Sequence, residues 1–170
     1  PISVYYPNGK IQSKQFFINN RKAGIWQYFY ENGKLKTEIV YNIMSNEEEG
    51  IMKNYDEKGV LDARAEFKNG VMDGYSKLYY PSGKLSSEAT FKNGVQVGLQ
   101  KDYYEDGKLK MELNYKNGKP EGLGRSYYPN GKVFIEENYK NGERDGVAKA
   151  YDENGKLLQQ ATFKNGQQIK

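Results

Sequence analysis

The 170-residue sequence has no cysteine and no histidine, and only five prolines. Without cysteine there is no disulfide framework and no thiolate metal site. Without histidine the commonest acid–base group near neutral pH is missing, and the two absences together remove the usual nucleophile–base pairs and zinc ligand sets. No apolar run approaches the ~18 residues of a membrane-spanning helix, and no secretory signal pattern opens the chain. A strong excess of one charge is also lacking. Lys and Arg number 26 against 22 Asp and Glu, for a net charge of +4, and the signs alternate along the chain, which mainly serves solubility. Aliphatic residues are sparse, whereas glycine (19) and tyrosine (16) are abundant. Tyrosine buries a ring face while its hydroxyl stays wet, which suits a thin structure better than a thick core.

Self-similarity organises the rest. A turn glycine recurs at Gly9, Gly33, Gly59, Gly83, Gly107, Gly131 and Gly155, at intervals of 24 residues except for one of 26. Most copies read Asn-Gly-Lys or Asp-Gly-Lys, the strongest short-range signal for a tight hairpin, and predict a type I′ turn with positive φ at both central residues. Upstream, segments run from a glycine to a tyrosine pair, as from Gly98 to Tyr103-Tyr104. Downstream, Leu109, Met111, Leu113 and Tyr115 alternate with Lys110, Glu112, Asn114 and Lys116, the period-two pattern of a half-buried strand. A second turn follows at Lys-Asn-Gly (68–70, 92–94, 116–118, 140–142 and 164–166). The expected domain organisation is therefore one array of seven hairpin units, approximately 1–23, 24–49, 50–73, 74–97, 98–121, 122–145 and 146–170.

A two-residue first loop sets the register: Tyr104 faces Leu109, Lys101 faces Glu112 and Gly98 faces Tyr115. The same register pairs Lys77 with Glu88, Arg125 with Glu136 and Gln27 with Glu38, which a one-residue slip would destroy. The third copy disagrees, because Lys53 meets Arg64. Each strand-opening glycine sits beside an aromatic (Phe67, Phe91, Tyr115, Tyr139 or Phe163), leaving room for the ring over the backbone. The predicted fold is all-β: an elongated, single-layer antiparallel meander of tandem hairpins, curved and twisted. Fourteen strands at ~4.8 Å would make a ribbon of roughly 65 Å, with a concave side lined by Leu, Ala and second-position Tyr residues. Helix is expected nowhere except briefly at Glu47-Glu48-Glu49.

The pattern Tyr-Tyr-x-Asn-Gly-Lys-Leu, then Glu, then Tyr-Lys-Asn-Gly, then Gly, resembles the MORN repeat family, and more closely its bacterial MORN-variant branch that includes the YwqK-like antitoxin proteins. The resemblance covers essentially the whole chain. It implies a surface for binding or scaffolding proteins and, by some proposals, phospholipids, and in antitoxin-like members the neutralisation of a partner toxin. It carries over no catalytic residue and no cofactor. The chain departs from the pattern in the first copy, where Asn19-Asn20 lacks its glycine, and in the second, where Tyr41 to Gly50 is longer and acidic. Pro1 starts almost inside a repeat, so the chain reads as a mature fragment. Its expected place is the bacterial cytoplasm or, with a removed leader, the cell envelope.

The residues themselves nominate a partner-binding set. First-position tyrosines Tyr55, Tyr79, Tyr103 and Tyr127 point away from the core side. Lys53, Lys77, Lys101, Arg125 and Lys149 form a cation file on that outer side, which either meets phosphates or an acidic partner, or pairs across strands with Glu88, Glu112 and Glu136. The carboxylates beside these cations disfavour nucleic acid. Trp26, Tyr28 and Tyr30 are read as sharing one side of the second hairpin, equally suited to a binding hot spot and to core. The irregular segment Ile43-Met44-Ser45-Asn46-Glu47-Glu48-Glu49 reads as loop drift more readily than as a recognition insert. Evenly spaced surface carboxylates with cationic neighbours are the opposite of a converging acid–base pair, so no enzyme, small-molecule substrate or cofactor is expected. No dense acidic loop offers calcium spacing. The expected function is a non-enzymatic protein-interaction or scaffold module, in its sharper form an antitoxin- or immunity-like binder of a toxin. The alternative is a module for a membrane surface or anionic lipid.

Overall fold

The computed structural model describes residues 1–45 and 47–169, and among them every element is a strand. Asn46 of the irregular segment lies outside the described residues. Glu47 and Glu48 lie in a connection and Glu49 opens a strand, so the brief helix expected there does not form.

The chain forms two compact units, Pro1–Lys84 and Leu85–Lys170. The first holds β1 (Ile2–Tyr5), β2 (Ile11–Gln15), β3 (Phe17–Ile18), β4 (Arg21–Lys22), β5 (Gly24–Phe29), β6 (Leu35–Tyr41), β7 (Glu49–Tyr55), β8 (Leu61–Lys68) and β9 (Val71–Tyr79). Strands β1, β2 and β5 to β9 pair in succession as an antiparallel meander, while β3 and β4 make a small separate ribbon. The second unit holds β10 (Leu85–Lys92), β11 (Val95–Tyr103), β12 (Leu109–Lys116), β13 (Lys119–Pro120), β14 (Gly122–Tyr127), β15 (Val133–Lys140), β16 (Glu143–Arg144), β17 (Gly146–Tyr151), β18 (Leu157–Lys164) and β19 (Gln167–Ile169). It is again an antiparallel meander, in which β13 with β14, and β16 with β17, are successive stretches along one line.

The first turn is not of the type expected. At the first turn the glycine N–H donates to the carbonyl three residues back, as from Gly107 to Tyr104 at 2.8 Å, and Tyr104 N–H donates to Lys108 O at 2.8 Å. Only the glycine has positive φ there, +89° at Gly107, so the loop is a three-residue type I turn with a left-handed glycine, not type I′. The preceding Asn or Asp uses its side chain, as where Lys108 N–H donates to Asp106 Oδ1 at 3.0 Å. The longer loop adds a bulge, so Tyr103, not Tyr104, stands opposite Leu109. The type I′ turns are the second ones: Asn69 and Gly70 have φ of +50° and +79°, and Asn117 and Gly118 +51° and +76°. Where the first copy lacks its glycine, Asn20 takes φ of +62°, which asparagine tolerates better than other residues with a side chain.

Away from the bulges the predicted register holds: Gly98 faces Tyr115, Lys101 faces Glu112, Arg125 faces Glu136, Gln27 faces Glu38 and Lys53 meets Arg64. The strand-opening glycines serve a different purpose from the one expected. A Cβ on Gly98 or Gly122 would meet nothing within 4 Å, but both have positive φ, at +72° and +81°. They reset the strand after the type I′ turn; they do not clear space for a ring. Gly50 is the exception: its φ is ordinary, and a Cβ would be driven into the Val40 carbonyl oxygen and come within 3.1 Å of the Phe67 ring.

Ala23, Trp26, Tyr41, Ala65 and Ser13, all in the first unit, are the buried side chains among the described residues. Phe17, Trp26, Tyr41 and Phe67 pack in one file, the first pair tilted and the next two edge to face, with centroids 4.9, 5.2 and 5.5 Å apart. Within this file Tyr41 and Phe67 stand opposite the strand-opening Gly24 and Gly50, whereas the second-position tyrosines expected to form the core are half-buried. Gly50→Ala is expected to lower stability by about 2 kcal/mol or more through the backbone clash. Gly107→Ala, in open space, should lose about 1 kcal/mol from its left-handed φ alone. Urea denaturation of the two variants measures the difference, and equal losses would refute the assignment.

Candidate interaction surface

Alternation along β11, β14 and β17 puts Leu99, Lys101 and Tyr103, then Leu123, Arg125 and Tyr127, then Val147, Lys149 and Tyr151 on one face of the second unit. The strands between contribute Glu88, Glu112 and Glu136, so one line across the sheet reads Glu88, Lys101, Glu112, Arg125, Glu136, Lys149. Opposite charges are neighbours at every step. Arg125 Nε lies 2.9 Å from Glu136 Oε1, and its Nη1 3.9 Å from Glu112. The Arg125 bond is the main reason the Glu136 carboxyl sits below the ordinary carboxylate range, with the Tyr151 hydroxyl adding to it.

First-position tyrosines are tied into this line. The Tyr103 hydroxyl donates to Glu88 at 2.5 Å, Tyr127 to Glu112 at 2.6 Å and Tyr151 to Glu136 at 3.2 Å. Each reaches back to the preceding hairpin. Second-position tyrosines reach forward: Tyr104 donates to Tyr127 O at 2.6 Å and Tyr128 to Tyr151 O at 2.9 Å, and in the first unit Tyr6 donates to Phe29 O and Tyr30 to Tyr55 O. The pair is therefore a two-way tie between repeats. Strand alternation indicates the side of a ring but not where its hydroxyl ends, so pattern reading missed this; the recurring interval of 15 residues between Glu and first Tyr was the available signal.

In the first unit the corresponding line is Lys14, Gln27, Glu38, Lys53, Arg64, Lys77. Gln27 reaches Glu38 at 3.4 Å and Lys53 reaches it at 3.5 Å, while Arg64 turns to Glu66 at 3.4 Å. Arg64 holds the position that Glu88 holds before Tyr103, so Tyr79 has a cation where the later tyrosines have a carboxylate. Tyr55 and Tyr79 are half-buried.

Trp26, Tyr28 and Tyr30 do not make a patch. Trp26 is 6% exposed and its indole N–H donates to Phe16 O at 2.7 Å, so it belongs to the core. Tyr28 follows it on the same face, and Tyr30 lies beyond the strand end with Lys36 over its ring. Beside this core, Ile18, Arg21, Lys22, Tyr41, Ile43 and Glu48 help line a recess of about 200 Å³. Lys22 Nζ stands 5.7 Å from both the Trp26 and Tyr41 ring centres and 3.0 Å from Glu48. That ion pair raises the Lys22 pKa, whereas burial raises that of Tyr41. The aromatic pair thus already holds an ammonium of its own chain. The irregular segment is held by Lys22 to Glu48, Lys68 to Glu47 and Arg21 to the Ser45 carbonyl.

Comparison with known proteins gives one informative match. The family model described as MORN repeat variant matches residues 2–19, 22–42, 48–69, 72–93, 96–117, 120–141 and 144–165. No curated protein matches. Solved structures that resemble the chain include a mutant of S. aureus TarM in complex with Fondaparinux, alpha-GlcNAc-glycerol and UDP (12% identity, 65% of this chain, TM-score 0.44). A second, a crystal structure of TarM, has 12% identity over 63% of this chain and a TM-score of 0.42. The chain spans 21% of the length of each, and likeness this loose carries no argument about function.

Burial, and next the Glu88 and Glu112 carboxylates, push the Tyr103 and Tyr127 hydroxyls up to about 12 from an ordinary 10.0. Folding therefore favours the protonated tyrosines. Their contribution to stability is complete below pH 10 and is lost as the pH rises towards 12. Absorbance titration should show two tyrosines ionising near pH 12. In Glu112→Gln the Tyr127 value should fall only part of the way, because burial remains; an unchanged titration curve would contradict the Tyr127–Glu112 bond.

Proposed function

Because the chain belongs to the MORN repeat-variant family, whose repeats serve protein or membrane interaction, we propose that it is a non-enzymatic protein-interaction module whose binding surface is the tyrosine and charge face. One observation carries this reading: an exposed apolar row stands beside side chains already locked in place. Leu99 and Leu123 are 45% and 40% exposed, with Val147 next in line, and each is two residues from a member of the charge line. Ile25 and Tyr75 hold the same position in the first unit and are exposed as well. A partner settling on this face gains apolar burial, and the tyrosine and ion-pair bonds have already removed much of the side-chain freedom that binding would otherwise have to freeze. The alternating charges set the register of the partner and reject mismatched ones.

An antitoxin- or immunity-like role is the sharper form of the proposal: a broad rigid face neutralises a partner by covering it, with no chemistry of its own. The line of paired cations supports a protein partner over an anionic lipid, since each carboxylate in it repels a lipid phosphate. Leu99→Ser with Leu123→Ser should abolish capture of a partner that the intact chain retains, at unchanged circular dichroism. Tyr28→Ala should leave that capture intact. Retained capture by the double variant, or co-sedimentation with phosphatidylserine vesicles at physiological salt that the double variant loses, would overturn the protein-binding reading. If the captured partner keeps full activity at saturation, the role is scaffolding, not neutralisation.

A further inference from the structure

The second-turn edge of the second unit carries charge that the binding face does not use. Lys92, Lys116, Lys119, Lys140 and Lys164 all sit at type I′ turns and all are exposed. Lys116 and Lys119 stand opposite each other in register, two like charges across one turn. Among the described residues Lys92, Lys116, Lys119 and Lys140 make no ion pair; only Lys164 is engaged, with Asp145 at 3.1 Å. The carboxylates of this edge are largely committed elsewhere. Glu121 accepts from Asn141 N–H at 2.8 Å, Asp145 holds Lys164 and Asn165 N–H, and Glu143 faces Lys140. The cations thus outnumber the carboxylates, and the surplus lies on the Lys92, Lys116 and Lys119 side.

These turns form a fixed row. Gly118 N–H donates to Gln96 O, Gly142 N–H to Pro120 O and Gly166 N–H to Arg144 O, each at 2.9 Å, so each of these three turns is bonded to the strand residues that follow the turn before it. The Lys119 stem packs over the next turn, 3.5 Å from where a Cβ on Gly142 would stand.

We propose that this row is a preformed cationic ridge that takes an acidic, extended polypeptide segment lying across the turns. Charge complementarity selects the sign, and spacing selects the form. Successive turns are two strand spacings apart, about 9.6 Å, and a segment extended as a polyproline II helix advances about 9.3 Å per three residues while bringing every third side chain to the same side. A carboxylate at every third position therefore meets a lysine on each turn. The ridge is one to two lysines wide, with Glu121 and Glu143 between them. A threaded chain avoids these carboxylates, whereas a flat anionic bilayer would be brought against them. The ridge is separate from the tyrosine and charge face and binds whether or not that face is occupied.

The test is fluorescence anisotropy of a labelled oligo-glutamate titrated with the intact chain at low and physiological salt. Binding that weakens with salt is expected, and Lys92→Gln, Lys116→Gln, Lys119→Gln and Lys140→Gln together should weaken it about tenfold or more at unchanged circular dichroism. An equal number of substitutions among first-turn lysines (Lys10→Gln, Lys58→Gln, Lys84→Gln and Lys156→Gln) should leave affinity within about twofold. Equal losses in the two quadruple variants would show a response to net charge alone and overturn the ridge. Binding to phosphatidylserine vesicles without binding to oligo-glutamate would overturn the peptide assignment. Because Leu99→Ser with Leu123→Ser leaves the ridge untouched, failure of the ridge and failure of the face are separable.

Discussion

A two-stranded hairpin in water cannot hold itself together, and this chain has too few aliphatic side chains to rescue its hairpins with a thick core. Everything depends on the ties between one hairpin and the next. Beyond the strand ladder, those ties are tyrosine hydroxyls: one of each pair reaches forward to a carbonyl and the other back to a carboxylate. A neutral hydrogen bond contributes about 0.5–1.5 kcal/mol and one to a charged group about 1.5–3 kcal/mol, in a partly dry setting that favours the bond over its water-bound alternative. Where Asp56 and Asp152 replace the second tyrosine, the carboxylate caps backbone N–H groups of its own turn instead, and the forward tie is absent from those copies.

The same bonds give the surface its character. A glutamate that accepts from a tyrosine and faces a cation on either side has few rotamers left, and neither do the groups that hold it. The second unit buries no large side chain and offers no deep cleft among its described residues. What it offers is breadth, with an apolar row, a charge line and a tyrosine row each advancing by one hairpin, about 9.6 Å, at a time. Such a surface suits recognition of something equally extended. The first unit differs where its repeats are irregular. Its aromatic file and its Lys22–Glu48 pair consume the groups that would otherwise be free for a partner.

Much of this was legible beforehand because a β-strand has a period of two and a hairpin has a short loop. Those two facts place Lys101 opposite Glu112 and Arg125 opposite Glu136, and expose the Lys53–Arg64 mismatch, with no knowledge of tertiary structure. The turn types were not legible. Asn-Gly suits a type I′ turn, but the same dipeptide also serves a type I turn with a left-handed glycine, and the asparagine side chain bonded to the lysine N–H two residues on favours the second at the first turn. Trp26 was undecidable in sequence because a lone tryptophan meets the requirements of core and of interface equally well. The Phe16 carbonyl and the rings of Phe17 and Tyr41 make it core.

By itself, then, the sequence determined the repeat, the strands, the pairing and the sign of each neighbour across a strand, since all of these follow from spacing along the chain. Tertiary structure alone decided which hydroxyl ties which repeat, which aromatics are core and which lysines stay uncommitted. Those outcomes depend on where the far end of a long side chain comes to rest. That is a contest among several partners within reach, and residue order does not rank them.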